Sequence, residues 1–247
     1  MNRLMGLLCI AALLTLSVTT SSLAYDSPRK YGVQLGGGFG IYDMGDVSLG
    51  TDYLLGLRPG NTASTSDGGP MGNIAIIYRP ARHQMWEVGY NPLFDVENLV
   101  ENAAGDSSGQ ILMHGNEFYA KAVIVTYPAE RLNLNFGVGI AYYNTELQVQ
   151  DDFTRRFYYD AVGRAFGLVG SLGIELGLSE RLGLYLGGGG RLVNSNNFTY
   201  ESSPGVRSGV SVLGGSRPME VNLTGGYGQL GLRMYFDKVT KPIDFSR

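Results

Sequence analysis

The chain has 247 residues, 19 basic against 22 acidic, with 37 glycines, 9 prolines and one cysteine. That length suits a single β domain. The charge is too acidic and too evenly mixed for a nucleic-acid binder, the scarcity of proline excludes a collagen-like chain, and glycines set inside alternating runs exclude low complexity.

Residues 1–24 read as a secretory signal peptide. Asn2 and Arg3 form a short polar and basic start, Leu4 to Val18 an apolar core, and Ser22-Leu23-Ala24 a small-x-small cleavage site. The exported chain is expected to begin near Tyr25. Cys9 lies inside the leader behind Leu7-Leu8, which lack the small residue that precedes a lipid-modified cysteine, so the exported chain carries no thiol and no disulfide. Loss of Arg3 leaves 18 basic residues against 22 acidic, a net charge of −4.

From there the chain runs in period two, the signature of half-buried strands. In Tyr31 to Tyr42, Tyr31, Val33, Leu35, Phe39 and Ile41 share one parity while Gly32, Gln34, Gly36, Gly38 and Gly40 share the other. A polar connection follows to about Pro70. The second strand, about Gly72 to Arg79, sets Ile74, Ile76 and Tyr78 opposite Asn73 and Arg79, and Pro80-Ala81-Arg82 turns the chain. The third, His83 to Asn91, sets Trp86, Val88 and Tyr90 against Glu87, Gly89 and Asn91. A second long connection, Pro92 to Met113, contains Leu93 to Val100, whose spacing suits a short amphipathic helix. The fourth strand, about Gly115 to Tyr127, puts Phe118, Ala120, Ala122 and Ile124 on one face with Glu117 and Lys121 on the other. After the turn at Pro128 to Arg131, the fifth, Leu132 to Tyr143, alternates Leu132, Leu134, Phe136, Val138, Ile140 and Tyr142 with Asn133, Asn135, Gly137, Gly139 and Ala141. A third long connection runs from Asn144 to Gly163.

Arg164 to Leu192 then forms a long hairpin about Ser179-Glu180-Arg181, with Phe166, Leu168, Leu172, Ile174, Leu176 and Leu178 on one face of its first arm and Leu182, Leu184, Leu186 and Leu192 continuing that face. The other face is glycine, Glu175, Tyr185 and Arg191. Each arm exceeds the common 5–6 residue strand and approaches the length of a tilted membrane-crossing strand. A fourth long connection, about Val193 to Arg217, leads to an eighth strand ending at Phe236. Its parity slips between Val221-Leu223 and Leu230-Leu232, which predicts a bulge near Gly228.

Eight strands with long and short connections in strict alternation specify an all-β, eight-stranded antiparallel up-and-down barrel, with every long connection at one end. An even strand number lets first and last strands close antiparallel and removes the edges. Alternation alone leaves open which face is outside: a soluble barrel binding an apolar ligand puts the greasy face in. Two features put it out. The opposite face is mostly Gly, Asn and Ala, a poor surface for water but a good narrow interior. Tyr31, Tyr78, Trp86, Tyr90, Tyr127, Tyr142 and Tyr227 cluster near strand ends, as an interfacial girdle would.

The end of the last strand, Gln229-Leu230-Gly231-Leu232-Arg233-Met234-Tyr235-Phe236, has the order polar, x, Gly, x, x, hydrophobic, x, aromatic. Gln229, Gly231, Met234 and Phe236 thereby resemble the insertion signal read by the bacterial barrel-assembly machinery. With the eight strands and the asymmetric connections, the chain resembles the small outer-membrane β-barrel family that includes the transmembrane domain of OmpA, OmpX and OmpW. The resemblance covers about Tyr31 to Phe236. It implies a barrel domain over 25–236 in the bacterial outer membrane, touching lipid and lipopolysaccharide, with a short periplasmic tail at 237–247.

With the apolar parity outside, the inward charges are Glu87, Glu117, Lys121, Glu175, Arg191 and Arg233, and they are expected to pair, because an isolated buried charge is costly. An eight-stranded barrel is just wide enough for side chains to fill, so the expectation is a plugged, non-enzymatic barrel acting through its loops; a narrow channel for small solutes is the alternative. No cofactor is expected. His83 and His114 fall at opposite ends, which argues against a shared metal site or a lipid A-modifying pair, and no serine lies two residues from either. Gly36-Gly37-Gly38 and Gly187 to Gly190 lack the lysine and helix of a phosphate loop. Asp43, Asp46, Asp52 and Asp67, with Asp95, Glu97, Glu101 and Asp106, either hold divalent cations near lipopolysaccharide phosphates or simply solubilise the loops. Asp151, Asp152, Arg155 and Arg156 have no ligand spacing, and Phe153, Phe157, Tyr158 and Tyr159 serve a surface ligand or pack the loop.

Overall fold

The computed structural model describes residues 30–56, 60–104, 108–129, 132–151, 157–179, 181–195, 198–200 and 219–237. The expected signal peptide, Asp106, residues 152–156 of the third connection and residues 238–247 of the expected tail lie outside them. The elements are β1 (Tyr31–Tyr42), α1 (Asp46–Gly56), β2 (Thr62–Ser64), β3 (Gly68–Ala81), β4 (Gln84–Glu101), β5 (Ser108–Ala129), β6 (Leu132–Asp151), β7 (Phe157–Gly177), β8 (Leu182–Leu192), β9 (Asn194–Ser195), β10 (Thr199–Tyr200), β11 (Val221–Asn222) and β12 (Gly225–Tyr235).

Eight of these strands close into a barrel in the order β1-β3-β4-β5-β6-β7-β8-β12 and back to β1, every pair antiparallel. The closing seam runs from Gly32 opposite Tyr235 to Tyr42 opposite Gly225. Beyond its last rung, one carboxylate oxygen of Asp237 accepts the backbone N–H of both Lys30 and Tyr31 at 3.1 Å, so the side chain continues the ladder where the strand ends.

Period two sorts the middle of the wall into two faces. Leu35, Ile76, Val88, Phe136, Ile140, Phe166, Leu172, Leu186, Leu230 and Leu232 point outward and are exposed, while Gln34, Asn73, Glu87, Lys121, Glu175, Arg191 and Arg233 point inward and are buried. Such an apolar band around a polar filling is the reverse of a water-soluble barrel and is what a bilayer requires of strands that cross it. Two aromatic levels border the band: Tyr31 stacks on Tyr78 near the short-turn end, and Tyr90 meets Phe118 and Tyr142 meets Phe166 in tilted pairs toward the other.

Toward the long-connection end the rule inverts. β4, β5, β6 and β7 run 18, 22, 20 and 21 residues, against 11 or 12 for β1, β8 and β12. Most of the expected second and third connections is therefore strand. On this taller part Val96, Val100, Ile111, Met113, Leu147 and Val149 face inward and Glu97, Glu101 and Gln110 face outward, because the surroundings are water again and the apolar side chains belong inside. Leu93 to Val100 is not a helix. β4 carries a bulge between Leu93 and Val96, which leaves Phe94 and Asp95 both outward and brings Leu93, Val96 and Val100 to the inner face at a spacing that imitates a helix.

α1 fills the mouth of this tall wall. Val47, Gly50, Thr51 and Leu54 lie on its buried face, at i, i+3, i+4 and i+7, and Val47 and Leu54 join Met44, Val96, Val100, Ile111, Met219 and Val221 in one apolar cluster. Asp46, expected as a solvating or cation-binding loop carboxylate, is buried and accepts the Glu220 N–H at 2.8 Å, while Asp43 accepts from the Asn222 amide at 2.8 Å. These bonds tie α1 to β11, which pairs with β9 in a second small sheet. An Asp46→Ala variant should lose about 1 kcal/mol of local stability. It should speed amide exchange within α1 while leaving the wall strands' hydrogen-exchange protection unchanged.

The last strand holds two corrections. No bulge occurs near Gly228: β12 keeps continuous register with both β1 and β8 through that residue. Val221 and Leu223 are apolar yet inward, because they belong to the cluster under α1, so no parity slip exists to absorb. For the same reason Tyr227 is buried in the lumen and does not belong to the aromatic girdle. The Tyr127 side chain lies outside the described residues.

Candidate functional site

The lumen is the one place where the fold concentrates charged and polar side chains away from water. Glu87, Glu117, Lys121, Glu175, Arg191 and Arg233 all lie inside it, each no more than 3% exposed. A seventh charge, Arg79, joins them at 1% exposure. Arg79 shares the parity of Asn73 on β3 but abuts the turn at Pro80, where a basic residue more often reaches into solvent; it was not among the expected inward charges, although its parity is the signal that marks it.

These groups divide into a chain of five and a separate pair. Near the short turns, Arg79 Nη2 lies 2.8 Å from Glu175 Oε2, and Arg233 Nη1 meets the same oxygen at 3.0 Å. Arg233 Nη2 continues to Glu87 at 3.3 Å, and Glu87 pairs with Lys121 at 2.9 Å. Farther up, Arg191 Nη2 lies 3.0 Å from Glu117. Neutral partners fill in around them. Tyr235 donates to Glu175, Tyr119 donates to Glu87 at 2.7 Å, Arg233 Nε donates to Gln34, and Asn73 donates to Asn91 at 2.7 Å.

The same construction recurs at each cation. An inward tyrosine occupies the space beside an inward glycine, and the cation lies over its ring. Tyr185 covers Gly173 and Gly187 and carries Arg233 at 4.0 Å; Tyr119 covers Gly89 and carries Lys121 at 4.4 Å. Tyr227 covers Gly189 beneath Arg191 at 4.6 Å, and Tyr235 covers Gly32 beneath Arg79 at 4.9 Å. A methyl group on any of these glycines would fall on the ring. The unusual glycine content thus has a reason: bare backbone makes room for four tyrosines whose ring faces stabilise the cations where carboxylates number only three. Tyr119, Tyr227 and Tyr235 were not foreseen in the lumen, although inward parity beside a cross-strand glycine marks each of them.

The remaining candidates are dispersed. His83 sits at the β3–β4 turn with Nδ1 2.9 Å from the Val125 carbonyl. His114 faces outward on β5, its Nε2 3.0 Å from Glu146 and its Nδ1 3.7 Å from Asp95, bridging three strands above the aromatic level. Among the described residues no group of three His, Cys, Asp or Glu side chains is arranged to hold a metal ion. In the expected insertion signal, Gln229 and Gly231 face the lumen and Met234 and Phe236 face outward.

No family model and no curated protein sequence matches the chain. Several solved structures align with it, three of which follow. Neisserial surface protein A matches at 14% identity over 83% of this chain and 97% of that one, with a TM-score of 0.43. The outer membrane protein OprG from Pseudomonas aeruginosa matches at 13% identity over 85% and 98%, TM-score 0.46. CarO from Acinetobacter baumannii matches at 15% identity over 86% and 100%, TM-score 0.36. The closed wall, the apolar band and aromatic levels outside it, the ion-paired filling and the long connections gathered at one end have a single physical solution: the chain is an eight-stranded transmembrane β-barrel of the outer-membrane type.

Proposed function

We propose that the protein is a non-enzymatic wall protein of the bacterial outer membrane, closed to solutes, which meets its surroundings through the extracellular ends of its strands. The filled lumen carries this reading. Seven mutually paired charges and four tyrosines occupy the interior of a barrel with room for little else, and the apolar cluster under α1 sits over them at the extracellular mouth. The apolar band contacts lipid, lipopolysaccharide surrounds the outer half, and the assembly machinery reads Gln229, Gly231, Met234 and Phe236 during insertion. Loop carboxylates and the outward face of the tall wall offer the surface for an external ligand.

Purified barrel in planar bilayers should give no discrete conductance steps, and liposomes containing it should not swell in small sugars. Steps that vanish on changing Glu175 or Arg191 would establish a charge-lined channel instead. Lipid A deacylation by the purified protein would overturn the non-enzymatic assignment.

A further inference from the structure

The lipid-facing wall carries a shallow concave tract. Between β6, β7 and β8, Leu134, Phe136, Leu172, Ile174 and Leu186 wall a groove of about 330 Å³. Leu134, Ile174 and Leu186 share one rung of the sheet, and Phe136, Leu172 and Gly188 share the next. Above them Gly170 pairs with Gly190, both on the outward parity. A side chain at Gly170 would meet nothing within 4 Å, so the groove continues toward the bilayer middle as a trough floored by backbone. Below it the wall ends in the β7–β8 turn, where Ser179 and Arg181 are exposed; Glu180 precedes Arg181 in the chain.

The dimensions fit one kind of occupant. Arg181 stands five residues from Leu186, about 16 Å along the strand and less along the membrane normal once strand tilt is included. One leaflet of hydrocarbon is about 15 Å deep. A phosphate beside Arg181 therefore brings the far end of its attached chain to the rung of Leu134, Ile174 and Leu186 in the groove. We propose that this tract is a binding site for one glycerophospholipid of the periplasmic leaflet, an acyl chain seated between β6, β7 and β8 and an anionic phosphate held by Arg181. The site rests on the membrane-barrel orientation given above.

Native mass spectrometry of the detergent-extracted full chain, titrated with phosphatidylglycerol, tests it. The wild type should retain one phospholipid after others are stripped. Leu186→Trp, which fills the groove, should lose that lipid, and Arg181→Gln should weaken it about fivefold. Ile76→Trp, on the outward face of β3, should keep it. If Leu186→Trp fails to fold, Ile174→Trp fills the same rung from an exposed position. Equal lipid retention by all variants, with heat-modifiable gel mobility intact, overturns the site. Loss of heat-modifiable mobility in the wild type overturns the barrel reading instead.

Discussion

Replacing Glu175 with leucine should destabilise the barrel by about 3–5 kcal/mol, the cost of leaving buried cations without their carboxylate. Glu175 is wholly buried and is the only carboxylate that the described contacts give to Arg79, while Arg233 keeps Glu87 at 3.3 Å. Tyr235 loses its acceptor at the same time, since its hydroxyl donates to Glu175 and receives from Arg79 at 2.7 Å. The loss should appear as a lower urea midpoint in micelles and a lower temperature for the gel-mobility shift. Pairing Glu175→Leu with Arg79→Met should recover much of it, because the unpaired arginine and not the missing contact dominates. A loss under about 1 kcal/mol, the range of solvent-exposed pairs, would mean that water screens the lumen charges, and the closed-barrel reading would give way to a channel.

That sensitivity follows from residues whose placement the sequence already marks by parity. In β6 and in the β7–β8 hairpin, alternation is so regular that strand and facing are legible, and the same parity rule applied along the whole chain gives six of the lumen charges. Where parity carries less, there is a physical reason. A bulge at Phe94-Asp95 breaks period two and makes Leu93, Val96 and Val100 look helical. The upper parts of β4 to β7 leave the membrane and exchange the meaning of their faces, so a rule tuned to lipid reads them as polar connection. α1 is hidden in a stretch of Asp, Ser, Thr and Gly whose buried face is only four small or apolar residues besides Asp46. Tyrosine is legible as aromatic but ambiguous in position: a girdle at the interface and a ring beside a glycine inside both draw on the same residue type, and only the cross-strand neighbour separates them.

Glycine supplies the second large effect, because its role depends on which face it occupies. Gly139 is inward and opposite Lys121, and Gly38 is inward and opposite Gln229. An added Cβ at Gly139 would fall on the Ala120 carbonyl oxygen and press within 2.7 Å of the Lys121 Cα; at Gly38 it would fall on the Gly228 carbonyl oxygen and reach within 2.9 Å of the Gln229 Cα. The obstacle is the backbone of the neighbouring strand in a closed ladder, so no side chain can rotate away, and relief requires the two strands to part. Gly139→Ala and Gly38→Ala should each cost about 1–3 kcal/mol. Gly170→Ala and Gly228→Ala should stay within about 0.5 kcal/mol of wild type, since a Cβ there points outward into open space. The comparison holds residue type and substitution fixed across four strands of one wall and contrasts the two faces. Urea unfolding of the four variants in one micelle system decides it: equal losses at inward and outward glycines would mean that conformational entropy, and not a lumen packed against bare backbone, explains why the wall is built from so much glycine.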